Sequence, residues 1–188
     1  MSYSTNQFRR GLKIEIDGDP YNIVYFQHVK PGKGNAFVRT KIKNLISGNM
    51  LERTFKSGEK VGKPDLENKI VQFLYKETED YIFMDMESYE NFAVPAENLG
   101  SATNFLKENT DCELLFFKNS AIGIELPIFI NFRITHTDPG VKGDTVSGST
   151  KPATIETGAV VQVPLFVEEN TLIRIDTRTG EYIERVKE

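Results

Sequence analysis

Residues 21–46 read Tyr21-Asn22-Ile23-Val24-Tyr25-Phe26-Gln27-His28-Val29, then Lys30-Pro31-Gly32-Lys33-Gly34-Asn35-Ala36, then Phe37-Val38-Arg39-Thr40-Lys41-Ile42-Lys43-Asn44-Leu45-Ile46. The first segment is rich in β-branched and aromatic residues, and the last alternates apolar with polar side chains. Both are strand signatures. The Pro, Gly, Gly and Asn between them predict a hairpin loop. Gly supplies backbone conformations other residues avoid, and Pro stiffens the approach. Lys33 therefore stands at the tip, between two residues that have no side chain to shield it. The plain alternative is a solvated loop lysine with no further role.

Outward from this hairpin the chain reads as almost all strand. Leu12–Ile16, Tyr21–Val29, Phe37–Ile46 and Met50–Phe55 make a first set, with a turn at Asp17-Gly18-Asp19-Pro20. Residues 57–64 have the composition of a linker. This first unit reads as a small twisted β-barrel. A second unit starts near Asp65. It holds strands Lys69–Lys76, Tyr81–Met86, Glu113–Lys118 and Ile122–Leu126, and a helix is predicted over Ala102–Asn109 with Ser101 as its N-cap. Short strands with one helix fit an OB-like barrel. A third unit starts near Ile128, with strands Ile128–Thr135, Val160–Val167, Leu172–Asp176 and Tyr182–Val186 and a Gly/Ser/Thr-rich loop over Lys142–Pro152. The expected domains are 1–64, 65–127 and 128–188, the last two sharing one strand layout.

The net charge of −4 is unevenly spread: residues 1–64 carry +7, residues 65–127 carry −9 and residues 128–188 carry −2. A basic first third on an acidic protein suggests a polyanionic partner met at one end. Arg9, Arg10, Lys30, Arg39, Lys41 and Lys43 are the candidate RNA-binding cations. Arg39, Lys41 and Lys43 fall on one face of a strand by their spacing of two. A solvated edge that resists aggregation is the alternative. The polar N-terminus lacks an apolar signal core, and no apolar stretch is long enough to span a bilayer, so a cytoplasmic location without membrane contact is expected.

Little in the chain points to catalysis. His28 and His136 are the only histidines, and neither neighbours the single cysteine, Cys112, or a carboxylate at metal-ligand spacing. Cys112 reads as a small buried core residue. Residues 143–150 look like a phosphate-binding loop, but Ser149 stands where that loop needs lysine. There is no nucleophile elbow and no dinucleotide fingerprint. No catalytic residue, metal site or cofactor is expected.

Taken together, several segments resemble the family of bacterial translation elongation factor P over essentially the whole chain. They are Phe8-Arg9-Arg10-Gly11-Leu12-Lys13-Ile14, the Lys30–Phe37 tip, Asp138-Pro139-Gly140-Val141-Lys142-Gly143-Asp144-Thr145, and the run from Lys151-Pro152-Ala153 through Thr157–Val167. The chain departs at Asn170, where that signature usually ends in Gly. Asn tolerates the left-handed conformation better than most residues, so the turn is expected to survive. The resemblance implies an all-β fold of three small β-barrel domains in an L-shaped array, a KOW/SH3-like domain followed by two OB folds. It implies a non-enzymatic factor that binds the ribosome between the peptidyl and exit tRNA sites and relieves stalling at consecutive prolines. Its partners would be peptidyl-tRNA, ribosomal RNA and a lysine-modifying enzyme, and a monomer is expected. The resemblance matches the modifiable lysine to Lys33, commonly extended by a β-lysyl group, on a tip formed with Pro31, Gly32, Gly34 and Asn35. It matches Gly143, Asp144 and Gly148 to a loop that approaches the exit-site codon. Two other readings stand beside it. One is a general RNA-binding protein or chaperone using its OB-like barrels, which the acidic charge of those units and the absence of Trp disfavour. The other is a protein adaptor working through the acidic middle, which leaves Lys33 and the charge split unexplained.

Overall fold

The computed structural model describes residues 1–140 and 149–187. Three antiparallel sheets account for its architecture. The first contains β1 (Ser2–Ser4), β2 (Lys13–Ile16), β3 (Asp19–Val29), β4 (Phe37–Asn44), β5 (Met50–Lys56) and β6 (Lys60–Gly62), in the order β1-β6-β2-β3-β4-β5. Its core is Phe8, Leu12, Ile14, Ile16, Ile23, Val38, Ile42, Phe55 and Val61. The alternation read from β4 holds: Val38, Thr40, Ile42 and Asn44 are buried, while Arg39, Lys41 and Lys43 are exposed. The linker expected over residues 57–64 contains β6. Val61, only 7% exposed, pairs with Tyr3, and this apolar side chain draws a linker-like segment into the sheet.

The second sheet contains β7 (Leu66–Glu77), β8 (Asp80–Asp85), β9 (Asn91–Pro95), β10 (Asp111–Phe117) and β11 (Ser120–Glu125), in the order β11-β10-β7-β8-β9. The third contains β12 (Phe129–Thr137), β13 (Thr150–Ile155), β14 (Val160–Pro164), β15 (Leu172–Asp176) and β16 (Glu181–Arg185), in the order β14-β13-β12-β15-β16. The two orders are the same. In each, the first strand is central, the second and third lie on one side, and the fourth and fifth on the other. The strand layout expected to repeat does repeat, in two five-stranded sheets of one order.

Two further local expectations fail. The helix expected over Ala102–Asn109 with Ser101 as N-cap does not form. A single α-turn, α1 (Ala96–Leu99), gives way at Gly100 (φ 56°) to a 3-10 turn over Gly100–Phe105, and Leu106 is extended. Tertiary pairing overrides the helical propensity: the Asn109 N–H donates to the Phe73 carbonyl at 2.7 Å, and the Phe73 N–H to the Thr110 carbonyl at 2.9 Å. The loop expected over Lys142–Pro152 ends early, because Lys151 and Pro152 already belong to β13. Among the described residues the β12–β13 ladder ends at Thr137↔Ala153, so Pro152 lies past its last rung, where the missing N–H costs no ladder bond, and its carbonyl accepts Thr137 Oγ1 at 2.9 Å.

By packing, the chain divides into two compact units, Met1–Asn68 with Leu114–Gly123, and Lys69–Glu113 with Ile124–Glu188. Within the first, Lys118 Nζ meets Glu15 Oε1 at 3.2 Å and the Gly18 carbonyl at 3.2 Å. Within the second, Phe105 packs on a core of Phe132, Ile134, Ile155, Val163, Ile173 and Ile175. Among the described residues no helix is long and apolar enough to cross a membrane.

Candidate nucleic-acid interface

The β3–β4 hairpin closes at the rung Val29↔Phe37. Residues 30–36 therefore project beyond the last pair, and Lys30, Pro31, Gly32, Lys33, Gly34 and Asn35 are all exposed. The glycines contribute unequally. Gly34 has φ +104°, a region L side chains rarely adopt, and a Cβ there would come within 4.0 Å of Pro31 Cγ. Gly32 has no left-handed φ and open space around its missing Cβ, so its role is lack of bulk. No described side chain bonds or ion-pairs with Lys33, which leaves its amine free.

Behind the tip, β4 presents Arg39, Lys41 and Lys43 on the face opposite the core. Lys41 Nζ lies 3.2 Å from Glu52 Oε1, the residue directly across on β5. Arg39 and Lys43 face Thr54 and Met50 and carry no ion pair among the described residues. Arg9 and Arg10 are exposed in the turn before β2. That turn is pinned to β3: the Gly11 N–H donates to the Ile23 carbonyl at 2.7 Å, and the Ile23 N–H to the Leu12 carbonyl at 2.9 Å. The structure thus brings three of the six expected cations into one row, places two in a turn against the neighbouring strand, and puts Lys30 at the base of the tip. Gly143, Asp144 and Gly148 lie outside the described residues.

One feature of this surface is invisible to a pattern reading. β3 carries a bulge between Ile23 and Tyr25, so that Ile23 pairs with Ile42 and Tyr25 with Lys41. A regular strand would put residues 23 and 25 on the same face. The extra residue, Val24, turns Tyr25 outward, 47% exposed, while Ile23 is fully buried. The one available signal was the loss of alternation in Ile23-Val24-Tyr25-Phe26, which does not say where a bulge sits.

The histidines do other work. His28 is exposed and meets Phe26 edge-on, with ring centroids 5.8 Å apart. His136 Nδ1 bonds Glu169 Oε1 at 2.8 Å, a contact between residues 33 apart in the chain. No group of three or more metal-ligating side chains occurs among the described residues.

Three family models match in succession: the elongation factor P KOW-like domain over residues 4–61, the elongation factor P OB domain over residues 66–124, and the elongation factor P C-terminal domain over residues 130–185. The chain belongs to the elongation factor P family. It is 54% identical to elongation factor P of Carboxydothermus hydrogenoformans over 183 residues, covering 97% of this chain and 99% of that one. To elongation factor P of Maridesulfovibrio salexigens it is 55% identical over 184 residues, covering 98% and 99%. Among solved structures, translation initiation factor 5A from Methanococcus jannaschii superposes with a TM-score of 0.54 at 22% identity, over 68% of this chain and 92% of that one. A Naegleria fowleri initiation factor 5A family protein gives 0.56 at 14% identity, over 66% and 95%. These two likenesses concern the fold. The chain is thus a translation elongation factor of all-β architecture, with a KOW-like domain followed by OB domains. The tip carrying Lys33 and the β4 cation row both lie within the KOW-like match of elongation factor P.

Proposed function

We propose that this elongation factor binds the ribosome between the peptidyl and exit tRNA sites and stimulates peptide-bond formation where consecutive prolines stall it. Lys33 points toward the peptidyl-transferase centre. The observation that carries this reading is a free lysine amine on a narrow tip beyond the last hairpin rung, at the basic end of an acidic protein. Ribosomal RNA and tRNA present phosphate, so the +7 of residues 1–64 holds them through counterion release. The −9 of residues 65–127 suits a protein- or solvent-facing role. No catalytic group is required of the factor. Holding the peptidyl-tRNA in a reactive geometry lowers the entropic part of the barrier, and proline, a geometrically poor reactant, gains most.

The same reading takes residues 1–64, 65–127 and 128–188 as three domains, and the factor as a cytoplasmic monomer without a cofactor. The exposed Lys33 amine suits acylation by a β-lysyl group, delivered by a separate modifying enzyme. The loop with Gly143, Asp144 and Gly148 is assigned to the exit-site codon by resemblance to the family.

The experiment is translation of a reporter with and without a three-proline insert, using factor purified from its native host. Lys33→Ala should fold normally, since an exposed tip side chain contributes little to stability, and should lose rescue of the proline reporter. Lys30→Ala should weaken ribosome binding and keep rescue, because Lys30 precedes Pro31 at the strand end and does not reach the tip. Lys33→Arg should also fail, because guanidinium keeps the charge but cannot be acylated as the amine is. Full rescue by Lys33→Ala would refute the assignment.

A further inference from the structure

We propose that Tyr25 is a stacking platform for an unpaired RNA base, set within the cationic face of β3 and β4. The inference rests on the ribosome-binding reading and adds to it a contact that is aromatic and selective for unpaired RNA.

The bulge at Val24 places Tyr25 on the outward face, directly opposite Lys41. Directly opposed side chains have Cβ atoms about 5 Å apart, and diagonal neighbours about 7–8 Å. Arg39 and Lys43 are the diagonal neighbours of Tyr25. The turn carrying Arg9 and Arg10 is pinned to β3 at Ile23, beside the bulge. The exposed ring therefore lies beside the cation row of β4, with the turn that carries Arg9 and Arg10 anchored to the same strand by its backbone. Alternate residues along β4 are spaced about 6.8 Å, so Arg39 and Lys43 offer separated contacts to a backbone running along the strand. Glu52 neutralises Lys41 at 3.2 Å, leaving Arg39 and Lys43, which carry no ion pair among the described residues, as the phosphate contacts.

The chemistry fits an unpaired nucleotide better than a duplex or a peptide. Every base has a π-face that stacks on an aromatic ring while nearby cations hold the backbone. A duplex hides its faces in its own stack and would meet only the cations. An acidic peptide would use the cations and leave the ring uncovered. The bulge supports this assignment, since without it Tyr25 would point to the core face beside Ile23. Bulges commonly re-aim a side chain in this way.

The chain contains no Trp, so Tyr25→Trp introduces a single indole reporter at the proposed site. The full-length variant is titrated with a 12-nucleotide oligouridylate, with the duplex formed by that strand and its complement, and with a poly-glutamate peptide. Stacking predicts that the single strand quenches the indole at saturation while duplex and peptide do not. In parallel, Tyr25→Ala should weaken single-strand binding about ten-fold, within the range for loss of one base–aromatic stack. Because it removes no charge, it should leave the salt dependence of binding unchanged. Arg39→Gln with Lys43→Gln should instead flatten that dependence. Tyr25→Phe, which keeps the ring, should bind like the parent. Equal affinity of Tyr25→Ala and parent, an unquenched indole at saturation, or no measurable oligouridylate binding by the parent would each overturn the platform. Equal quenching by all three ligands would overturn its selectivity for unpaired RNA. Ribosome binding separates the two readings. If Arg39→Gln with Lys43→Gln weakens it and Tyr25→Ala does not, the platform falls and the ribosome-facing surface stands. If neither changes it, the surface itself is wrong.

Discussion

Lys107 and Glu156 are bridged in the second compact unit, Nζ to Oε1 at 2.8 Å, and the same carboxylate oxygen accepts the Arg133 N–H at 2.9 Å. Thr157 Oγ1 donates to the Asn104 carbonyl at 2.6 Å beside it. The segment between α1 and β10 is thus tied to the β13–β14 turn by polar contacts, while Phe105, two residues away from Lys107, packs on Phe132 with ring centroids 6.2 Å apart.

The apolar contact should dominate. Both bridge partners are about one-third exposed, with side-chain values of 37% and 32%, and such pairs typically contribute about 0.5 kcal/mol. A double-mutant cycle with Lys107→Ala and Glu156→Ala should return a coupling near that value, falling with salt. Phe105→Ala should cost about 2 kcal/mol through lost apolar burial. Urea midpoints measure both, and a Phe105→Ala cost smaller than the bridge coupling would reverse the ranking.

Asp176 closes the β15–β16 turn. Its Oδ1 accepts the Arg178 N–H at 2.9 Å and Nε at 3.0 Å, and Oδ2 accepts Nη2 at 2.6 Å. The Arg178 side chain holds the carboxyl at about 2, against an ordinary value of 3.8. A depressed folded-state value favours folding fully above the unfolded value, and that contribution drains as protons bind the native carboxylate less readily than the unfolded one. Stability should therefore decline between pH 3.8 and about pH 2, and Asp176→Asn should remove that part of the decline. Asp85 is lowered in the same direction by the Glu87 and Ser88 N–H groups, at 2.8 and 3.1 Å, so the parent curve will carry its contribution too. Thermal midpoints across this acid range are the measurement, and equal slopes for parent and Asp176→Asn would contradict it.

Cys112 is buried at the start of β10, and burial, helped by the neighbouring Asp111 charge, pushes its thiol up to about 12. At pH 8 roughly one part in ten thousand is thiolate, the reactive form. Native protein should resist iodoacetamide for hours and take up one equivalent promptly in urea. Rapid labelling of the folded chain would show that the site opens.

Asn170 has φ 62°, and its backbone is committed on both sides: its N–H donates to the Ile134 carbonyl at 2.9 Å and its carbonyl accepts Arg133 Nη1 at 2.7 Å. Asn170→Ala should cost about 1 kcal/mol, because Ala pays the left-handed penalty without relief. Asn170→Gly should be neutral or slightly stabilising. Denaturant titration decides, and Ala tolerated as well as Gly would mean the turn changes shape.

What was legible in the sequence follows from what each signal reports. β15 is found at its predicted bounds, and β3 and β4 within two residues, because alternation and turn residues act locally. The left-handed backbone at Asn170 was expected from the family resemblance, whose signature usually has Gly there, together with the tolerance of Asn for that conformation. The misses share another cause. Residues 102–109 have helical composition, but pairing with Phe73 decides their conformation. Val61 and Pro152 look like linker and loop until a neighbouring strand is placed beside them. The tip and the cation row were readable because they depend on spacing. Tyr25 was not, because a one-residue bulge reverses the face of a side chain without any mark in composition.

The rung Val29↔Phe37 also makes the hairpin a ruler with coarse graduations. Each residue added to both strands carries the tip outward by about 3.4 Å, but one such step swaps the inner and outer faces beyond it. Short of a second bulge, the reach of Lys33 from the barrel changes only in jumps of about 6.8 Å. Fine adjustment is left to the side chain: its length, its rotamer, or a group added to its amine. A variant lengthened by two residues in each strand should fold as the parent does, yet overshoot and fail in the proline reporter. If it works as well as the parent, the tip is not held to a measured distance.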